Sequence, residues 1–172
     1  MLFRSLLPDA FYLFVIRDFQ SVVYSLIKRD FAELDKKYLS RKYFSRLIWT
    51  YFRRPIRLQR FYQKNVERYL KVWIVYNQEI LKNINTLNRD SYLVVDYASL
   101  QKHDQEVFTY IKDQWKFNLN FHPFKEVYKE SLMSREINLD QYIKDKTLLH
   151  QALELEKKLK AFLNQKTLPD HL

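Results

Sequence analysis

The chain is 172 residues long and contains no glycine. At the usual frequency of about 7%, roughly twelve would be present. Glycine is the residue that reaches positive φ without steric cost and lets a backbone approach a ligand closely. Without it the chain can build no Gly-rich phosphate loop, no G-x-G-x-x-G dinucleotide turn and no G-x-S-x-G nucleophile elbow. Cysteine is absent too, which excludes disulfides, thiolate metal sites and cysteine nucleophiles. The length suits one domain, and 47% hydrophobic against 29% charged residues is enough apolar matter for a packed core.

The formal net charge is +10, and it is local. Residues 28–71 hold 14 Lys and Arg against four acids, whereas the remainder of the chain holds 16 of each sign. Aromatic residues interleave with that charge: Tyr38, Tyr43, Phe44, Trp49, Tyr51, Phe52, Phe61 and Tyr62. Two readings stand side by side. Either the stretch is an anion-binding surface, or it is a solvated basic helical segment whose aromatics fill the core. No window of about 18 uncharged apolar residues occurs, so no membrane span is expected. Met1–Leu7 lacks a small-residue cleavage site and does not read as a signal peptide. The expected location is therefore the cytoplasm.

Leu2–Leu7 reads as the end of a helix stopped before Pro8. Phe11–Ile16 is a continuous apolar run of the kind found in strands buried on both faces. Val22, Val23, Leu26 and Ile27 then fall at helical spacing, with Asp18 or Ser21 available as a cap. Residues 31–62 read as two short helices broken near Arg54-Pro55. Lys64–Ile84 is the clearest helix, with Val66, Tyr69, Leu70, Trp73, Asn77, Ile80, Leu81 and Ile84 on one face. Asn83–Asp90 reads as a turn in which Asn and Asp replace glycine at positive φ. Tyr92–Tyr97 is a second strand, 104–115 a helix, 121–133 irregular and 146–164 an amphipathic helix. Two strands joined by a helical crossover imply a parallel pair. Two are few for an independent α/β sheet, so further partner strands are expected to be missing.

Arg17 stands at the carboxyl end of the first strand, and Ser25 follows eight residues later in the next helix. Ligands of open α/β sheets bind at carboxyl ends of strands. A helix N-terminus, a bidentate guanidinium and a hydroxyl there describe a phosphate site made without glycine. An Arg17–Asp18 ion pair is the plainer alternative. The four histidines, His103, His122, His150 and His171, show no metal-ligand spacing, and no metal is expected.

The run Leu7-Pro8-Asp9-Ala10-Phe11 through Arg17-Asp18 to Ser25 resembles the 3′-phosphate-binding segment of the PAPS-dependent sulfotransferases. PAPS is 3′-phosphoadenosine 5′-phosphosulfate, and PAP is the product it leaves. Trp73, Tyr76-Asn77, Ile80-Leu81 and Leu93-Val94-Val95-Asp96-Tyr97-Ala98-Ser99-Leu100 are similar to the family's later Trp-bearing helix and strand. The likeness covers roughly residues 5–135. It implies a P-loop-NTPase-like parallel sheet of the sulfotransferase type, truncated and mainly helical, with about two buried strands. It implies one partial domain over 1–172. Within that domain, 1–30 would be a 3′-phosphate-binding strand–helix unit and 31–72 a basic helical segment. Residues 73–135 would form helix–strand–helix and 146–164 the last helix.

By the same resemblance Arg17 and Ser25 would hold the 3′-phosphate of PAPS or PAP, and Tyr97 would lie near the adenine. A strand-end core tyrosine is the other reading of Tyr97. The implied activity is sulfuryl transfer to a hydroxyl, on a carbohydrate or another small acceptor. Several positions depart from the family pattern. Phe19 replaces a proline, Ser21 an acid, and Ala98-Ser99 a Glu-Asp pair, while the late Arg-Lys-Gly motif is missing. The 5′-phosphosulfate loop with its lysine, and the acceptor-activating base, are expected upstream of residue 1. This chain offers no recognisable catalytic residue, so enzyme activity of its own is left open. The alternatives are a non-catalytic basic module that binds nucleic acid or an anionic membrane through 28–71, and a degenerate nucleotide-binding scaffold.

Overall fold

The computed structural model describes residues 10–127 and 138–163. The expected helix end at Leu2–Leu7, residues 128–133 of the irregular stretch, Asn164 and His171 lie outside them. Strand β1 (Tyr12–Ile16) and strand β2 (Tyr92–Asp96) are parallel neighbours, with Tyr12 opposite Tyr92 and Ile16 opposite Asp96. A parallel pair requires a long crossover. Here it consists of α1 (Phe19–Leu39), α2 (Tyr43–Ile48), a π-helical turn (Trp49–Arg53) and α3 (Arg54–Thr86). After β2 come α4 (Tyr97–Lys102), α5 (Asp104–Trp115), the single turn α6 (Phe124–Val127) and α7 (Lys146–Leu163). The described chain is thus α/β and predominantly helical, with a two-stranded parallel sheet.

The described residues fall into two compact units. One holds 10–17, 77–127 and 157–163, and the other holds 18–76 and 138–156. In the first, Leu93 and Val95 of β2 pack with Val107 and Trp115 of α5. The Trp115 indole N–H donates to the Asp90 carbonyl at 3.2 Å, which satisfies the one polar atom that the ring buries. β1 differs from the sequence reading. Ile16 is buried, but Phe11, Leu13 and Val15 are exposed, so the run is not covered on both faces. Successive side chains of a strand alternate between faces, and Leu13 and Val15 share the face of their partners Leu93 and Val95, where α5 packs on β2 and leaves β1 exposed.

The second unit is helical. Asp18 caps α1 by accepting the Ser21 N–H at 2.7 Å. Its buried residues Phe19, Val23, Ile27, Phe31 and Asp35 recur every four positions and so form one stripe. Phe19 meets Trp73 edge-on at 5.9 Å and Phe31 meets Phe61 at 5.5 Å, which joins α1 to α3. The predicted α3 face is buried at Val66, Tyr69, Leu70 and Trp73. Before α7, Glu67 Oε1 accepts the Lys144 and Asp145 N–H groups at 2.7 and 3.0 Å, and Asp145 caps α7 through the Leu148 N–H.

Two further expectations are corrected. There is no break at Arg54-Pro55: α1 runs on to Leu39, and helical backbone is continuous from Tyr43 to Thr86. Proline lacks the N–H that would bond the carbonyl four residues back, and its ring crowds that carbonyl. The π turn lies immediately before it, and the Arg54 N–H reaches five residues back to the Trp49 carbonyl. The widened turn makes room for the ring, so the helix continues. The second correction concerns 83–90. α3 persists through Thr86, and the residue with positive φ among those described is Lys116, at 58°, just after α5. The left-handed position therefore falls on a lysine rather than on Asn or Asp.

Candidate functional site

β1 ends at Ile16 and β2 at Asp96, directly opposite each other, so Arg17 and Tyr97 are the residues that immediately follow the two parallel strands, Tyr97 as the first residue of α4. That register brings them together. The Arg17 guanidinium carbon lies 4.8 Å from the centroid of the Tyr97 ring, a cation–π contact. Phe124 meets the same ring edge-on at 5.8 Å. Its backbone N–H donates to Asp104 Oδ2 at 2.6 Å, which ties the α6 turn to the start of α5. Arg17, Tyr97 and Phe124 are each half-buried. Guanidinium groups both stack on aromatic rings and pair with planar or tetrahedral oxyanions through bidentate hydrogen bonds. The phenol and phenyl rings beside it offer flat apolar surface.

Ser25, the third residue singled out by sequence, is exposed on α1 and belongs to the second unit. At the start of α1 two of the free N–H groups already hold carboxylates. Ser21 N–H donates to Asp18, and Phe19 N–H donates to Glu156 Oε2 at 3.3 Å. Asp18 thus serves as a helix cap. A ligand that met α1 would meet its side rather than its tip.

The second unit contains an anion-attracting feature that residue counting did not resolve. A cleft of about 320 Å³ is lined by Leu34 of α1 and by Arg57, Arg60, Phe61, Lys64, Asn65 and Arg68 of α3. The four cations follow one another at spacings of three, four and four, which places them on one helix face. That spacing was the available signal. In the sequence these residues stand within the larger charge excess of 28–71. Among the described residues no acid lines the cleft.

Beside it, Asp30 and Tyr69 form a pair in which the phenol donates to Asp30 Oδ2. This hydrogen bond, with one from Arg29, holds the Asp30 carboxyl below the usual carboxylate range. Burial, then the bond to Asp30, pushes the Tyr69 phenol up. Deeper still, Asp35 accepts from the Trp49 indole at 2.9 Å and from Arg54 Nε at 2.9 Å, and Tyr38 stacks on Trp49 at 3.9 Å. The bond to Asp35 raises the Arg54 guanidinium further above its already high value. These groups anchor the π turn to α1. They are structural, since each is spent on a partner within the chain.

Among the described residues no group of three or more His, Asp or Glu side chains converges as a metal site would. No helix among them is long and apolar enough to cross a membrane. No protein-family model, curated protein or solved structure matches the chain.

Proposed function

We propose that the chain binds the 3′-phosphorylated adenosine nucleotide PAP, and its sulfate donor PAPS, at the carboxyl edge of β1 and β2. In this reading the fold is a reduced P-loop-like sheet of the sulfotransferase type, and the protein is the cosubstrate-binding part of a sulfotransferase acting on hydroxyl acceptors. The observation that supports it most is the meeting of Arg17 with Tyr97. Two residues assigned to one nucleotide from separate parts of the sequence stand side by side at a parallel strand end. Such edges are where α/β sheets bind ligands.

The chemistry divides accordingly. Arg17 grips the 3′-phosphate through charge-assisted hydrogen bonds, and the Tyr97 ring packs on the purine. Transfer itself requires a base on the acceptor hydroxyl and a cation on the leaving 5′-phosphate. Neither role is assigned to a residue of this chain.

Titration calorimetry with PAP tests the reading. Charge-assisted bonds contribute about 1.5–3 kcal/mol each, so Arg17→Ala is expected to weaken PAP binding by roughly tenfold to a hundredfold. Tyr97→Ala is expected to weaken PAP and 5′-AMP alike, because it removes a contact to the base. Ser25→Ala, which tests the role implied by resemblance, should cost less than Arg17→Ala. Adenosine 5′-phosphate, which has no 3′-phosphate, should be indifferent to Arg17→Ala. Failure of the parent chain to bind PAP, or equal binding by parent and Arg17→Ala, overturns the proposal.

A further inference from the structure

Residues 36–66 contain ten Lys and Arg and not one Asp or Glu. In the same stretch the aromatics do not all enter the core. Trp49 and Tyr62 are buried, but Tyr43, Phe44, Tyr51 and Phe52 are exposed, the last three at 75%, 71% and 70%. Ile48 and Ile56 are exposed as well. A contiguous apolar surface of this kind marks an interaction site when polar residues rim it.

The placement is ordered. Phe44, Ile48, Phe52 and Ile56 follow one another every four residues along the continuous helix of α2, the π turn and the start of α3. Four residues advance an α-helix by about 400°, so a strict four-residue stripe drifts around its axis. The wider π turn at Trp49–Arg53 takes back part of that drift and keeps the stripe in line. Trp49, about 100° around the helix from Ile48, is buried and held inward by its bond to Asp35. Arg46, Arg53, Arg57 and Arg60, all exposed, flank the stripe. Their long stems can lie along apolar surface while the guanidinium groups reach outward.

We infer that this surface lies on an anionic lipid bilayer, with the Phe44–Ile56 stripe entering the headgroup–acyl boundary and the flanking arginines on lipid phosphates. Interfacial helices combine an aromatic or aliphatic face with a basic one in this way. The charge selects the partner. A second copy of this chain would set ten cations against ten with no acid between them. Single-stranded nucleic acid would supply charge and stack on the aromatics, but Ile48 and Ile56 present no planar face for a base, and they continue the Phe44–Phe52 line. Hydrocarbon accepts Phe and Ile equally.

Flotation of the full chain with vesicles tests the inference. Binding is expected to phosphatidylcholine vesicles that contain phosphatidylserine, and to be weak on phosphatidylcholine alone. The double variant Phe44→Ala, Phe52→Ala changes only exposed side chains. It is expected to lose binding by about tenfold or more at unchanged charge. Arg53→Ala and Arg57→Ala should each cost about fivefold. A tryptophan at position 52 (Phe52→Trp) should be quenched by lipids brominated on the upper acyl chain. The inference is overturned if the phenylalanine variant binds vesicles like the parent, or if the position 52 tryptophan escapes quenching. It is equally overturned if a single-stranded oligonucleotide, and not the vesicles, loses affinity with that variant. Circular dichroism of each variant separates loss of the surface from loss of fold.

Discussion

At the scale of single residues, the groups with displaced protonation sit where α1 meets α3. Asp30 is held low, first by the Tyr69 hydroxyl and then by Arg29, and Tyr69 is held high by burial and by Asp30. The two shifts act at opposite ends of the pH scale. A depressed carboxyl stabilises the fold above its unfolded value, and that contribution is lost as pH falls through the folded value. A raised phenol stabilises the fold below about pH 10, the ordinary tyrosine value, and that contribution is lost as pH rises beyond it. Tyr62 strengthens the alkaline limb, because burial beside Tyr24 and Tyr142 pushes its phenol far up. Tyr69→Phe is therefore expected to flatten the acid limb of stability in urea titrations while part of the alkaline limb persists through Tyr62. An acid limb unchanged in Tyr69→Phe would show that the pair carries no linkage. The lysine at positive φ, Lys116, shows the cost of a glycine-free chain: a left-handed residue with a Cβ is disfavoured by roughly 1–2 kcal/mol.

At the scale of elements, β1 and β2 are parallel partners of unequal burial. Leu93 in β2 is buried, whereas Leu13, its register partner in β1, is 42% exposed. Leu93→Ala is expected to cost about 2–5 kcal/mol, and Leu13→Ala under about 1 kcal/mol. Equal losses in denaturant titrations would mean that β1 is covered on both faces. The difference also marks the limit of what the sequence carried. Phe11–Ile16 and Tyr92–Tyr97 announced strands through continuous β-rich hydrophobicity, and a long helical crossover between them implied parallel pairing. Composition cannot say whether a second layer covers β1, because Leu13 and Val15 are equally apolar whether covered or not. The helices from Lys64 and Lys146 were legible because their buried residues repeat at helical spacing. Pro55 misled because a proline inside a helical pattern normally ends it, and a π turn leaves no mark that periodicity detects. The carboxyl edge was legible in part. Arg17 and Tyr97 end consecutive strand-like runs, and the strand register then brings them together. The row Arg57, Arg60, Lys64 and Arg68 was present as spacing but hidden within a larger charge excess.

At the scale of the whole molecule, the charge is divided as sharply as the fold. The stretch 28–71 carries a net +10, equal to the charge of the entire chain. Most of that stretch is exposed helix, and its acids are largely engaged: Asp30 with Arg29 and Tyr69, Glu33 with Lys36, Asp35 with Arg54. Among the described residues the lining of the cleft includes four cations and no acid, so it presents one sign of charge to an approaching ligand. Exposed charge of one sign acts mainly on encounter with an oppositely charged ligand and much less on the lifetime of the complex. If the chain binds PAP as proposed, the association rate of this small polyanion should fall as salt rises, since screening shortens the reach of the field to about 10 Å at 0.1 M. Its dissociation rate should change little. Arg57→Glu with Arg60→Glu should reproduce in low salt the slow association of the parent in high salt. Arg17→Ala should act in the other direction, raising dissociation with little effect on association. Stopped-flow binding across a salt series separates the two. If association were indifferent to salt, or if the cleft variants changed only dissociation, the basic stretch would have no steering role.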